Sequence, residues 1–196
     1  SSRSAGDPAA ARTDELRIGV LHSEPRAVDI GPARRDQFRP PLQVQGGGSF
    51  RHAGQTQVGG AASVSLAGAA QFSGRLQAAS VQVDSDAAIT LDGVLASLGA
   101  VRFDAGTDWL QRRVLQTGML HVATGRDLQL AGLVRAGDDV VLQAGRDLLL
   151  QGLLWTGGSL LAQAQRDLLA IGAAPVALEG ATYLAGRRRV LPVGVR

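Results

Sequence analysis

The sequence predicts an all-β fold, a parallel β-helix or solenoid of ~20-residue, three-strand coils. Three observations carry that expectation. Gly125-Arg126-Asp127-Leu128, Gly145-Arg146-Asp147-Leu148 and Gln165-Arg166-Asp167-Leu168 recur at one constant interval of twenty residues. Apolar residues alternate on both sides of each copy: Leu120 and Val122, or Val140 and Leu142, before it; Leu128 and Leu130, or Leu148 and Leu150, after it. A glycine closes each unit, at Gly132, Gly152 and Gly172. A period of two is that of a strand, and short strands joined by glycine turns at a fixed interval are the pattern of stacked coils.

The segments fall in order along the chain. Residues 1–41 carry Pro8, Pro25, Pro32, Pro40 and Pro41 among small and charged residues, which oppose regular pairing. They read as an irregular N-terminal linker or cap in which Leu16, Ile18 and Val20 make one short strand. Gly46-Gly47-Gly48 marks the entry to β-helix repeats over 42–186. Val64-Ser65-Leu66-Ala67-Gly68 reads as a shortened early copy, and Val81-Gln82-Val83 and Val101-Arg102-Phe103 take the first-strand slot of later coils. Ile89-Thr90-Leu91-Asp92-Gly93 fills a second slot, whereas Trp109 to Thr117 breaks the consensus. Residues 187–196 form a basic C-terminal tail.

Coils stacked every ~4.8 Å turn each repeat position into a column. Leu130, Leu150 and Ala170 form an interior ladder. Asp127, Asp147 and Asp167 stack at one corner, where like charges repel. Arg126, Arg146 and Arg166 stand beside them, so diagonal Arg–Asp pairing between coils relieves the repulsion without calcium. These turns are structural. Arg135, Trp155 and Pro175 share a phase outside Val134 and Leu154, which places Arg135 over the Trp155 ring.

Composition sets limits on chemistry. All twenty basic residues are arginine, and cysteine, lysine and asparagine are absent. That excludes a disulfide framework, cysteine metal sites, a Walker A lysine and an N-glycosylation acceptor. His22, His52 and His121 have no metal-ligand spacing, and His121 sits in an outward slot between Leu120 and Val122. There is no Gly-x-Ser-x-Gly elbow. No cofactor, metal or catalytic residue is expected, and no apolar run approaches the ~20 residues of a membrane span. Beginning at Ser1 without a visible signal peptide, the chain reads as a fragment or processed product.

Residues from about Val64 to Gly180, and above all Val140-Val141-Leu142-Gln143-Ala144-Gly145-Arg146-Asp147-Leu148, resemble the repeat region of filamentous haemagglutinins, exoproteins of two-partner secretion systems. The resemblance implies a right-handed parallel β-helix shaft, secretion or display on the bacterial surface, and an outer-membrane two-partner transporter acting on the parent protein. The asparagine-rich motifs of that family's secretion domain have no counterpart in this chain. Contact-dependent growth-inhibition proteins carry similar shafts as spacers before a toxin, which gives a first alternative; a β-helical carbohydrate-active enzyme is a second. The regular spacing of the carboxylates, coil by coil, favours a scaffold over such an enzyme's single clustered site.

Positive charge supplies the remaining functional signal. Arginine forks bind sulfate, phosphate and carboxylate at two points. Arg112 and Arg113, expected to bulge where the repeat breaks, and Arg187, Arg188 and Arg189 are therefore the candidate glycan- or anion-binding residues, with a host-cell surface or sulfated glycan as partner. Nucleic acid is disfavoured because no aromatic stacking platform accompanies these arginines.

Overall fold

The computed structural model describes residues 20–23, 28–30, 35–38, 42–171, 175–177 and 180–190. Among them there is no helix. Every strand belongs to one of three parallel sheets of nine, nine and eight strands, and each strand pairs with the strand one coil away. One coil comprises Ala100–Ala105, Trp109–Gln111 and Val114–Thr117, and the next Met119–Thr124, Leu128–Leu130 and Leu133–Ala136. The chain is a β-solenoid.

Side-chain alternation explains why these residues make these strands. Along Met119–Thr124, Leu120, Val122 and Thr124 point inward and are buried. Leu128 and Leu130 follow on the second sheet, then Val134 and Ala136 on the third. Stacking turns these positions into seven interior columns, so each coil buries its apolar face against the coils above and below. Large side chains alternate with small ones. Phe103 and Trp109 meet within one coil at a ring-centroid distance of 5.6 Å, with Ala105 between them in sequence. Phe50 and Phe72, on adjacent strands of the second sheet, meet at a tilt with centroids 5.5 Å apart, where the small Ala70 pairs in register with Phe50.

The repeat is not uniformly twenty residues long. Val122 pairs with Leu142, twenty residues on, but Phe103 pairs with Val122, nineteen residues on. The difference is confined to the corner leading from the third sheet back to the first. Two residues separate the inward Thr117 from Leu120, whereas three separate Ala136 from Val140. Hydroxyls on the last inward position of the third sheet serve this corner. Ser97 Oγ donates to Ala79 O at 2.9 Å, Thr117 Oγ1 to Gly99 O at 3.0 Å, and Thr156 Oγ1 to Asp138 O.

Three expectations change. The 109–117 segment does not break the stack or bulge. Trp109–Gln111 and residues 114–116 pair residue for residue with the coils on both sides, and Thr117 pairs with Ala136 of the next coil. Gln111 replaces a leucine of the interior ladder, and its buried amide is fully used. Nε2 donates to Arg113 O at 2.8 Å and Leu133 O at 3.2 Å, and Oε1 accepts from Gly132 N at 2.9 Å. Val64-Ser65-Leu66 is no shortened copy, because it belongs to the full first-sheet strand Ala61–Leu66 and Ala70–Phe72 fills the second slot. Pro175 is one position out of phase: Trp155 pairs with Val176, so Pro175 follows the inward Leu154 and is buried.

The sheets extend on both sides of 42–186. Val20–Ser23, Val28–Ile30 and Arg35–Phe38 pair with the three strands of the next coil, and Arg188–Val190 pairs with Asp167–Ala170. Pro25, Pro32, Pro40 and Pro41 fall between the upstream strands in sequence and lie outside the described residues. Leu16 and Ile18 lie outside the described residues.

Candidate functional site

Two kinds of surface emerge from the corners: a ladder of ion pairs after the first sheet, and an arginine-bearing groove after the second. The ladder follows from the repeat. The residue before the first inward position of the second sheet (Trp109, Leu128, Leu148 and Leu168) is an aspartate in four successive coils: Asp108, Asp127, Asp147 and Asp167. The arginine of the following coil reaches back to each. Arg126 lies 3.6 Å from Asp108. Arg146 Nε donates to Asp127 Oδ1 at 2.7 Å while its Nη2 takes Oδ2, and Arg166 repeats the two-point contact on Asp147, with Nε at 2.8 Å. Arg188 Nη2 closes the series on Asp167 at 2.8 Å.

Asp108, Asp127 and Asp147 each also accept a backbone N–H from the coil above. Asp127 N donates to Asp108 Oδ1 at 3.1 Å, Asp147 N to Asp127 Oδ1 at 3.3 Å, and Asp167 N to Asp147 Oδ1 at 3.2 Å. The side chain thereby satisfies a corner donor that no strand can reach. The column is thus a chain of Arg–Asp pairs between coils, with both carboxylate oxygens of Asp127 and Asp147 engaged. Among the described residues no group of three or more acidic or histidine side chains is arranged to hold a metal ion.

The ladder shifts protonation. The hydrogen bond from Arg146 holds the Asp127 carboxyl below the usual carboxylate range, helped by the Asp147 N–H and opposed by partial desolvation. Arg166 does the same for Asp147, helped by the Asp167 N–H. The guanidiniums of Arg146 and Arg166 are held protonated more firmly than a free arginine. Because these two carboxyls titrate lower folded than unfolded, their contribution to stability is complete above the ordinary aspartate value of ~3.9 and is lost as the pH falls below it. Thermal melts followed by circular dichroism should therefore show a midpoint that is level near neutrality and drops below pH ~4. Asp147→Asn should lower the neutral midpoint slightly and flatten the acid limb; an unchanged acid limb would remove the ladder from the balance.

The second surface holds Arg112 and Arg113, and they have different fates. Arg112 is not free. Its Nη1 lies 3.2 Å from both oxygens of Asp92, one coil earlier. Arg113 is exposed and makes no ion pair among the described residues. It lines a shallow groove with Arg75, Asp92 and Gly93. Sequence reasoning missed Arg75 and Asp92. Asp92 was legible as the residue after Leu91, where Arg112 follows Gln111, but only once the nineteen- and twenty-residue steps are aligned.

The terminal cluster does not join this groove. Arg188 belongs to the ladder, and Arg189 stands in register with the core residue Leu168, donating to Leu184 O at 3.0 Å. Arg187 is exposed at the corner after the first sheet. Four coils, ~19 Å of stack, separate it from Arg113. The two basic clusters are two sites.

On the third sheet, Arg135 pairs in register with Trp155, and its guanidinium carbon stands 5.0 Å from the indole ring centroid, a cation–π stack between coils. His121 lies outward on the first sheet between buried Leu120 and Val122. His52 is buried, with Nε2 2.8 Å from Thr56 Oγ1. The side chain of His22 lies outside what is described. No helix among the described residues is long and apolar enough to cross a membrane. Compared with known proteins, the chain matches no family model, no curated protein and no solved structure.

Proposed function

We propose that the chain is a length of secreted, non-enzymatic shaft from a filamentous-haemagglutinin-like surface adhesin, exported by an outer-membrane two-partner transporter that acts on the parent protein. It extends the bacterial surface and attaches to sulfated glycans or other anionic groups of a host cell. One observation carries the reading: the same three-sheet cross-section recurs coil after coil, and the same corner ion pair joins each of four successive coils to the next. Repeats of this kind serve as extended surfaces. Support for attachment comes from Arg75 and Arg113, which share a groove in which Asp92 is occupied by Arg112 and leaves Arg113 for an external anion.

Retention on immobilised heparin across a salt gradient tests the attachment. The wild-type chain should elute near physiological salt, and Arg75→Ala/Arg113→Ala should elute distinctly earlier. Arg112→Ala, which releases Asp92 into the groove, should also elute early. If all three leave together at low salt, these arginines are ordinary surface charge and the adhesive half of the proposal falls.

A further inference from the structure

The groove at the corner after the second sheet has a direction and a pattern of charge. Four successive coils line it, from Gly54 up to Arg113, so its length runs along the stack for ~14 Å. Gly54, Gly74 and Gly93 leave its floor without side chains, and Arg113, standing where those coils have glycine, closes its upper end. Arg75 pairs with Val94 and Val94 with Val114, which puts Arg75 two coils below Arg113, ~9.6 Å along the stack. Both arginines are exposed, and neither makes an ion pair among the described residues. Arg35 pairs with Gln55 and Gln55 with Arg75, so a third arginine holds the position two coils lower again. The coils between present Gln55, a neutral amide, and Asp92, whose carboxylate is taken by Arg112. Available positive charge therefore comes at every second coil.

We infer that this groove takes a linear polysaccharide laid along the stack in which a uronate alternates with a neutral sugar. Each carboxylate meets one arginine, and each neutral sugar lies at the coil between. The inference rests on the anion-binding reading of the groove and narrows it. A two-coil step is comparable to one disaccharide of an extended chain, in which sugars two apart present the same edge. Carboxylates on alternate sugars thus come to successive arginines, whose forks take them at two points. The Gln55 amide offers both a donor and an acceptor to the neutral sugar. A chain with an anion on every sugar fits worse, because it must bring one to the coil of Asp92, where the carboxylate repels it. Selection of this kind comes from the repulsive element as much as from the attractive ones.

Calorimetric titration of the full chain with oligosaccharides of alternating glucuronate and N-acetylglucosamine tests this. The tetrasaccharide, with two carboxylates, should bind about tenfold or more tighter than the disaccharide, since its second contact forms within one complex. Arg113→Gly restores the residue that neighbouring coils carry at this corner, and Arg75→Gln repeats the residue in register below it. Each should bring the tetrasaccharide down to the level of the disaccharide while circular dichroism stays unchanged. An oligogalacturonate of equal length, charged on every sugar, should bind the wild-type chain more weakly than the alternating tetrasaccharide despite its greater charge. Asp92→Asn should narrow that difference. A tetrasaccharide no tighter than the disaccharide, or a wild-type preference for the oligogalacturonate, would overturn the inference while retention on heparin still supports the anion site. Absence of both heparin retention and oligosaccharide binding would remove the anion site itself.

Discussion

Trp109→Ala is expected to lower the unfolding free energy by about 3–5 kcal/mol, the usual cost of emptying a large buried aromatic site. Trp109 is 1 % exposed and stands in the middle of the stack, in the column that holds Ile89 below it and Leu128 above. Its ring packs on Phe103 at 5.6 Å, so truncation strips a neighbour from two sheets at once. The loss cannot be shared evenly, because in a solenoid each coil is stabilised only by those it touches. The denaturant transition should therefore move to lower concentration and broaden as the two halves uncouple. Trp109→Phe makes the control. The indole N–H has no hydrogen-bond partner among the described residues, so phenylalanine keeps most of the packing and removes a buried donor. Its loss should be well under half that of alanine. Equal losses for the two variants would show that the tryptophan fills no specific place.

Gly152→Ala is the second large effect, about 1–3 kcal/mol of destabilisation from a single methyl. Gly152 lies at the corner after the second sheet, above Gly132, and a Cβ there would overlap the Gly132 carbonyl oxygen. Gly74, Gly93 and Gly132 face the same obstacle, each from the carbonyl one coil below. The requirement is close approach of backbones, and relief would have to come from the backbone itself. Arg113 is the exception in this column, and the hydrogen bond beside it, Val114 N to Gly93 O, is long at 3.3 Å, against 2.9 Å for Val94 N to Gly74 O and 2.7 Å for Leu133 N to Arg113 O. Gly137→Ala should do the reverse. The nearest atom to a Cβ there is 3.8 Å away, so alanine fits and restricts the unfolded chain, for a gain of about 0.4–1 kcal/mol. Opposite signs for two glycine-to-alanine changes in thermal melts would separate corner packing from any general property of glycine. The same sign for both would sink the argument.

The architecture was legible because the most regular coils state it openly. Gly125 to Leu128 and its copies fix the period, and two-residue alternation fixes the strand. The diagonal Arg–Asp pairing was also readable, since a column of aspartates beside a column of arginines has few other ways to settle. What misled was the coil around Trp109. There the interior ladder takes Gln111 in place of leucine and the corner takes Arg113 in place of glycine, and only the hydrogen bonds of Gln111 show that an amide can fill an apolar slot. The upstream strands were hidden by prolines that fall between them. At the candidate anion site the sequence supplied Arg112 and Arg113 but neither Arg75 nor the neutralisation of Arg112: Arg112 and Asp92 are twenty residues apart and meet only through stacking.

The corner between the third and first sheets has a consequence for how such a chain can change. From Leu42 to Ala170 the three sheets and the other two corners keep constant spacing, while this edge accepts two residues or three and leaves the register of every ladder intact. It works as an expansion joint. Length gained there is absorbed within one coil and is not passed to the next, so whole loops or foreign epitopes grafted between Ala136 and Val140 should be carried on the outside of an undisturbed stack.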